Sequence, residues 1–246
     1  MMQNYKILIQ YDGTYYSGWQ KQKNTLDTIQ GRFERILSQL NGGDVEISGS
    51  GRTDAGVHAI GQVANFKLHE KLDKKYVFDY INKYLPDDIA VTDIDYADER
   101  FHARLNAKRK TYVYRMWIGE YSNVFEHRFL YTLRQLPDIE KMKTAANLLT
   151  GRHDYFGFSS VKKTKKSTVR EIYKIEIQKN ENEIKIIFEG NGFLYNMVRI
   201  LAGTIYDCGI GKMTSDSIKT VFETGQREYA GETLPPCGLT LLKVEY

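Results

Sequence analysis

A glycine-rich run near residue 50 combines the residue types in this chain that are best suited to chemistry. It reads Gly51-Arg52-Thr53-Asp54-Ala55-Gly56-Val57-His58-Ala59 and follows Ser48-Gly49-Ser50. Glycine tolerates positive φ and lets backbones approach closely, so this density of glycine indicates a specialised loop. The loop carries one cation, one carboxylate and one imidazole, on Arg52, Asp54 and His58. We expect the Asp54 carboxylate to be the reactive group of this loop.

Two plainer interpretations of Asp54 are open at this point. An aspartate in a glycine-rich loop most often caps a turn, and Arg52 would then pair with it on the surface. Alternatively, Asp54 and His58 could ligate a metal ion, but no other cluster of His, Cys, Asp or Glu in the sequence completes a ligand shell. We therefore expect no metal site.

A second candidate residue, Arg199, lies in an apolar helical segment at 194–208. One apolar stripe of this segment consists of Leu194, Met197, Val198, Leu201, Ile205 and Cys208. A guanidinium on a largely buried helix needs an anionic partner to offset its desolvation. Positions 195, 196, 202 and 203 carry no acid, so the partner must come from elsewhere in the chain or from a ligand phosphate. The alternative is an arginine at the rim that faces solvent.

A third candidate, Tyr112, lies in a strand-like segment at 107–118. The period of two places it on one face together with Tyr114 and Met116. It comes just after the basic run Lys108-Arg109-Lys110. A tyrosine in a strand is usually a packing residue, but one that emerges from a basic cluster is suited to stack on a base.

Cationic residues are concentrated in two clusters. The sequence has 35 Lys and Arg against 31 Asp and Glu, and this net charge of +4 does not by itself indicate nucleic-acid binding. The clusters comprise Arg104, Lys108, Arg109, Lys110 and Arg115, and Lys162, Lys163, Lys165, Lys166 and Arg170. Both lie beside aromatic residues, and cations mixed with aromatic rings suit RNA backbones and splayed bases. Solvated lysines on loops are the plainer alternative.

Composition and missing motifs argue against several protein classes. No stretch of about 18 uncharged apolar residues occurs, so we expect no membrane span. The N-terminus has no signal-peptide pattern, and we expect a cytoplasmic protein. Cys208 and Cys237 lack the spacing of a zinc site or a disulfide framework. No P-loop or dinucleotide-binding fingerprint occurs, so we expect no cofactor.

The elements that must position the candidate residues follow a repeated order. Residue periodicity predicts strands at 5–11, 44–48, 60–67 and 89–97 and helices at 28–40 and 74–84, in the order βαββαβ. It predicts the same order from 107 onward, with strands at 107–118, 171–178, 183–190 and 239–245, helices at 138–149 and 194–208, and an extra helix at 214–224.

This repeated order predicts an α+β fold of two ferredoxin-like halves, residues 1–106 and 107–246. We expect their sheets to join into one extended, mostly antiparallel sheet with helices on one face and the active-site cleft between the halves. The segments 119–137 and 152–170 are predicted to be long connections and candidate binding loops.

Short motifs along the chain occur in the order typical of one family. They are Tyr11-Asp12-Gly13-Thr14 with Gly18, Gln20 and Gln22; Thr28-Ile29-Gln30; the run from Gly51 to Ala59; Leu85-Pro86-Asp87-Asp88-Ile89; Phe101-His102-Ala103-Arg104; Phe193-Leu194-Tyr195-Asn196-Met197-Val198-Arg199; and Gly238-Leu239. With these motifs the chain resembles the tRNA pseudouridine synthases of the TruA type over nearly its whole length. The nine-residue run matches that family's signature without a substitution.

The resemblance implies an isomerase that converts uridine in tRNA to pseudouridine and needs no metal or cofactor. It implies that Asp54 is the nucleophile, that Arg199 is the cation paired with Asp54, and that Tyr112 contacts the target base. Because the reacting atoms lie within a stacked stem or loop, the target nucleotide must be flipped out of the RNA.

The resemblance also implies how the substrate is held. Arg52 would help to hold the flipped nucleotide, Leu239 would lie in the apolar wall of the site, and we expect His58 to contact the substrate too. The target uridines would lie at tRNA positions 38, 39 and 40 in the anticodon arm, and the enzyme would be a homodimer. The expected contacts to the RNA backbone are Arg104, Lys108, Arg109, Lys110, Lys162, Lys163, Lys165 and Lys166.

Two other classes of function compete with this one. A non-catalytic RNA-binding or RNA-folding module could use the same basic and aromatic surface, but it would not need Asp54 in an unaltered loop. A hydrolase with an aspartate nucleophile would need a phosphate-based or metal-based site, and the sequence lacks the motifs for either.

Overall fold

The computed structural model describes residues 2–162 and 165–246 of the chain. The chain folds into two compact units, Met1–Lys108 with Leu241–Tyr246, and Arg109–Thr240. The last strand of the chain therefore contributes most of its residues to the first unit. The division into domains at residues 106 and 107 stays a prediction.

The first unit has the predicted order of elements. These are β1 (Gln3–Tyr11), α1 (Ile29–Asn41), β2 (Ile47–Gly49), β3 (His58–Leu68), α2 (Lys74–Tyr84) and β4 (Ile89–Ala97). β1 lies between β3 and β4 and β2 pairs with β3, all antiparallel. Ile7 of β1 lies opposite Ala64 on one side and Ile94 on the other. Tyr5, Ile7 and Ile9 are all buried, as expected from side chains that alternate along a strand.

The two helices of the first unit begin and end at residues suited to these positions. Thr28 caps α1 by accepting a hydrogen bond from the Gly31 amide, and Gly42 ends it with a φ of 66°. Asp73 caps α2 in the same way, and α2 ends before Pro86, which cannot continue a helix. The predicted helices at 28–40 and 74–84 are therefore confirmed within one residue at each end.

The second unit contains more elements than the sequence predicted. They are β5 (Arg109–Trp117), β6 (Tyr131–Thr132), α3 (Ile139–Leu148), β7 (Gly151–Asp154), β8 (Val169–Lys179), β9 (Glu183–Gly190), α4 (Met197–Gly209), α5 (Ser215–Thr224) and the start of β10 (Leu239–Glu245). The sheet order is β5-β9-β8-β7, antiparallel throughout, and β6 pairs with β5 in parallel. β6 lies within the segment 119–137 and β7 overlaps the start of the segment 152–170, both predicted to be connections. The sequence did not predict these strands, because strands this short leave no periodic pattern.

Three predicted elements next to the candidate residues have different bounds in the structure. The helix predicted at 194–208 begins at Met197, because Asn196 adopts a φ of 59° and interrupts the helical backbone. The strand predicted at 44–48 runs over Ile47–Gly49, the residues that pair with β3. The strand predicted at 60–67 runs over His58–Leu68, because its pairing with β1 continues back to Ala59. The glycine-rich loop is thereby confined to residues 50–57.

The mixed α+β fold with mostly antiparallel strand pairing is confirmed. The ferredoxin-like arrangement of each half stays a prediction. Among the described residues, no helix combines the length and the apolar character that crossing a membrane requires.

Candidate active site

The first residues of the loop that carries Asp54 are hydrogen-bonded to β3. The Ser50 amide donates to the carbonyl of Val63 over 2.7 Å, and the Ser50 hydroxyl donates to Oε1 of Gln62, also over 2.7 Å. The Gln62 side-chain amide in turn donates to the carbonyl of Gly51 over 2.9 Å. Ser50 and Gln62 are both fully buried. The loop therefore starts from a fixed position instead of fraying from the end of β2.

The backbone on both sides of Asp54 is also hydrogen-bonded. The Thr53 carbonyl accepts from the Trp19 amide over 3.0 Å, and the Asp54 carbonyl accepts from the Val57 amide over 3.1 Å. The Thr53 and Tyr11 hydroxyls lie 2.8 Å apart. Burial raises the pKa of Tyr11 to about 12, so its hydroxyl is protonated at neutral pH and can donate. Asp54 itself is half-buried on this fixed backbone.

A second segment, residues 12–19, packs against the Asp54 loop at very short range. Gly18 has a φ of 90°, and a Cβ on it would lie 2.7 Å from the Thr53 carbonyl oxygen and 3.1 Å from the Asp54 carbonyl carbon. A Cβ on Gly13 would collide with the Val57 carbonyl. Only glycine lets the two backbones approach this closely, which explains the glycines outside the loop itself.

We expect Gly18→Ala to displace the loop. A residue with a Cβ at positive φ costs about 1–2 kcal/mol, and the clash with Thr53 adds about 1–3 kcal/mol. Gly42→Ala is the matched control, because Gly42 has a φ of 66° but nothing within 4 Å of its Cβ position. Chemical denaturation should show a clearly larger loss for Gly18→Ala than for Gly42→Ala, and only Gly18→Ala should lose activity. Equal losses for the two variants would contradict contact between residue 18 and the loop.

His58 lies at the start of β3 and is 2% exposed. Its Nδ1 lies 3.0 Å from the amide nitrogen of Gly13 and 3.1 Å from Oδ1 of Asp12. One ring nitrogen can serve one of these groups at a time: unprotonated, it accepts from Gly13, and protonated, it donates to Asp12. In either state His58 holds the start of the 12–19 segment. Its predicted contact with substrate stays a prediction.

Arg199 lies in the first turn of α4 and is half-buried, whereas the other residues of the helix are buried. Its Nε donates to the carbonyl of Leu234 over 2.7 Å, and its Nη1 donates to Oδ1 of Asn196 over 3.0 Å. Asn196 also donates to the Ser160 hydroxyl over 3.0 Å. Arg199 therefore hydrogen-bonds to two uncharged acceptors, and the anionic partner that the sequence predicted for it stays a prediction. Its pairing with Asp54 stays a prediction.

Tyr112 and Leu239 are both buried in the second unit. Tyr112 is 7% exposed, lies opposite Phe188 of β9, and meets the Phe193 ring edge-to-face at 5.2 Å. Leu239, 5% exposed, is the first residue of β10. The preceding Gly238 packs against Tyr114, where a Cβ would lie 2.7 Å from the ring.

The ring of Tyr114 is fully buried and its hydroxyl donates to the carbonyl of Pro235 over 2.8 Å. Burial raises the pKa of Tyr114 well above its ordinary value and also raises that of the Cys237 thiol, and the positive charge of Arg199 acts in the opposite direction on both. Arg199 therefore lies near Tyr114 and Cys237. Cys237 precedes Leu239 by two residues in the chain.

Most of the predicted RNA-backbone residues are exposed. They are Arg104, Lys108, Arg109, Lys162, Lys165 and Lys166, and Lys110 is half-buried. Arg109 is partly engaged within the second unit, with Nη1 3.4 Å from Glu189 and its guanidinium 5.1 Å from the Tyr173 ring. Lys163 lies outside the described residues. Exposure leaves these side chains accessible to a phosphate backbone, and their RNA contacts stay predictions.

The predicted residues thus fall into two groups. Arg52, exposed, and Asp54 lie in the loop with His58 directly after it, all in the first unit; Tyr112, Arg199 and Leu239 belong to the second unit. The residues that support them were not predicted from the sequence. Gly18 was a detectable signal because it stood in a recognised motif. Leu234, which contributes a backbone carbonyl, left no signal in its residue type.

Comparisons with known proteins point to one family. A family model described as tRNA pseudouridine synthase matches residues 7–106 and 145–246. The chain is 42% identical to tRNA pseudouridine synthase A 2 of Bacillus anthracis, over 100% of both chains. It is 46% identical to tRNA pseudouridine synthase A of Bacillus sp. (strain KSM-64), over 94% of both, and 41% identical to tRNA pseudouridine synthase A of Thermoanaerobacter sp. (strain X514), over 100% of both.

Among solved structures, a dye-decolorizing protein from V. cholerae matches over 98% of this chain and 91% of that one, with 8% identity and a TM-score of 0.21. A TM-score this low carries no argument. The family model and the full-length relatives, by contrast, cover the Asp54 loop, α4 and the start of β10. The chain therefore belongs to the tRNA pseudouridine synthase family, whose members are isomerases that act on tRNA.

Proposed function

We propose that this protein isomerises uridine to pseudouridine at positions 38, 39 and 40 of tRNA, with Asp54 as the nucleophile. The observation that carries the proposal is the construction of the Asp54 loop. The carbonyls of Thr53 and Asp54 are both hydrogen-bonded, and Gly18 packs directly beneath them. A loop held this firmly delivers its half-buried carboxylate to one position, as catalysis by positioning requires.

The reaction breaks the N1–C1′ bond of uridine and forms a C5–C1′ bond. N1 gains a proton and C5 loses one, so the product is an isomer and no electrons are supplied or removed. An ionised Asp54 could attack either C1′ of the ribose or C6 of the base, and then leave again when the new bond forms. Both routes require the same carboxylate in the same charge state.

We propose that the residues of the second unit complete the site. Arg199, as the partner of Asp54, would favour the ionised carboxylate where water is scarce. Tyr112 would pack on the target base and could assist removal of the C5 proton. Leu239 would contribute an apolar contact to the base, and its burial beside Gly238 agrees with that role.

Arg52 and His58 are proposed to hold the flipped nucleotide. Extrusion of a base costs a few kcal/mol, which contacts to the phosphate backbone must offset. Arg52, which directly precedes Thr53, is exposed, and its planar guanidinium is suited to bind phosphate. The exposed cations, including Arg104 and Lys108, would contact the RNA backbone on either side of the target.

The proposal predicts which uridines react. Three tRNA transcripts should carry C5-tritiated uridine at position 38, 39 or 40 alone, and a fourth tRNA transcript should carry it only outside the anticodon arm. Because the C5 proton is lost, each of the first three should release tritium to solvent and the fourth should not. A non-catalytic RNA-binding protein would retain all four RNAs on a filter and release no tritium. Release from the fourth transcript alone would contradict the proposed positions.

We also propose that the enzyme is a cytoplasmic homodimer and that each half is ferredoxin-like. Light scattering at several protein concentrations, with and without tRNA, tests the dimer. A single mass equal to one chain under all conditions would exclude it.

A further inference from the structure

A segment of the second unit, residues 230–235, runs along α4 and is bonded to it at three points. The Gly231 amide donates to the Thr204 hydroxyl over 3.0 Å, and the Glu232 amide donates to Oδ2 of Asp207 over 3.2 Å. The Leu234 amide donates to the Arg199 carbonyl over 3.4 Å. The segment has no secondary structure of its own, so these bonds set its path.

Glycines bring this segment unusually close to the helix. A Cβ on Gly203 would collide with the carbonyl of Glu232, and a Cβ on Gly231 would lie 2.5 Å from the backbone of Thr204. Thr204 is fully buried, and its hydroxyl also donates to the Ile200 carbonyl over 2.8 Å. The hydroxyl therefore has both its donor and its acceptor role filled, and its orientation is fixed.

The outer side of the segment is held by charged groups. Lys212 Nζ lies 2.6 Å from a Glu232 oxygen and 3.6 Å from Asp207, which is 4% exposed. Arg227 donates to the Ala230 carbonyl and to the Thr233 hydroxyl. None of these groups has a part in the proposed reaction, yet all of them fix residues 230–235 relative to α4.

The segment ends at the group that Arg199 contacts. The Leu234 carbonyl accepts from Nε of Arg199 over 2.7 Å, and the next carbonyl, of Pro235, accepts from Tyr114. One guanidinium edge is thus directed by a backbone oxygen whose position depends on Thr204 and Asp207.

We infer that Thr204 and Asp207 are positioning residues for Arg199, acting through the 230–235 segment and its Leu234 carbonyl. The inference rests on the proposed role of Arg199. A displacement of about 1 Å in a positioned group can cost up to about 100-fold in rate, so small shifts of this carbonyl should be measurable in kcat. Because neither residue contacts RNA in this account, tRNA affinity should not change.

The test compares Thr204→Val, which keeps the side-chain shape but removes the hydroxyl, with Thr204→Ser, which restores it. Thr220→Val is the matched control, since the Thr220 hydroxyl also donates to the carbonyl four residues earlier, but in a solvent-exposed hydrogen bond on α5. We expect Thr204→Val to lower kcat about tenfold with Kd for tRNA unchanged, and Thr204→Ser and Thr220→Val to stay within about twofold of the original protein. Full kcat in a folded Thr204→Val, or no rescue by serine, would overturn the inference.

Asp207→Ala provides a second test if Thr204→Val does not fold. We expect it to lower kcat about fivefold, and we expect Asp207→Asn to restore part of that loss, because its amide oxygen can still accept from the Glu232 amide.

Combining Thr204→Val with Arg199→Lys separates the inference from the proposed function. If the segment acts through Arg199, the effect of Thr204→Val should shrink in the Arg199→Lys background. Full activity of Arg199→Ala would refute the proposed role of Arg199 itself. An Arg199→Lys enzyme that is impaired, and to which Thr204→Val adds its full loss, would refute only the positioning inference.

Discussion

Asp54→Asn should abolish pseudouridine formation while leaving tRNA binding and folding intact. Removing a catalytic nucleophile costs about 10⁴-fold or more in kcat, because no other group supplies the same bond to the reacting centre. The loop should survive, since the Thr53 and Asp54 carbonyls that hold it belong to the backbone. The expected result is thus an inactive protein that still folds and keeps the original affinity for the anticodon arm.

The measurement is tritium release from C5-labelled tRNA, with Kd for the same RNA determined by filter binding. Asp44→Asn is the control, because Asp44 is exposed and lies outside the loop. Asp44→Asn should match the original protein in both assays. Turnover by Asp54→Asn within about tenfold of the original would refute Asp54 as nucleophile, because an amide cannot take that role.

Arg199→Ala should lose stability and activity together. Truncation leaves the Leu234 carbonyl and the Asn196 side chain without the donor they have now. An acceptor left unsatisfied in a partly buried site costs about 1–3 kcal/mol, and loss of a positioned cation at a reacting carboxylate costs about 10²–10³-fold in kcat. Arg199→Lys should recover part of the activity only, since an ammonium keeps the charge but cannot reproduce the planar fork of donors.

Arg115→Ala separates the two losses. Arg115 is another half-buried arginine of the second unit, with Nε hydrogen-bonded to Glu183 over 2.5 Å. Denaturant melts should show destabilisation of both alanine variants, whereas tritium release at a temperature where both are folded should be impaired only for Arg199→Ala. If Arg115→Ala were equally impaired, the activity loss at Arg199 would reflect general destabilisation and not catalysis.

Much of the fold could be read from residue periodicity. The helix at 74–84 and the strands at 89–97 and 239–245 have the predicted bounds, because their apolar residues repeat with the period of the element. The start of α4 could not be read in this way. Asn196 leaves the helical region of backbone space even though the residues before it, such as Leu194, continue the apolar pattern.

For the candidate site, the sequence by itself determined which residue types are the candidates for chemistry. Asp54 in a glycine-rich loop and a single cation, Arg199, on an apolar helix are local patterns, and they are visible because they depart from the surroundings that a packed core would impose. The tertiary structure alone decided what holds these residues. The backbone amide of Trp19 donates a hydrogen bond to the Thr53 carbonyl beside Asp54, and the backbone carbonyl of Leu234 accepts one from Arg199. Every residue type carries the same backbone carbonyl and nearly every one the same amide, so such contacts between distant segments leave no trace in the sequence.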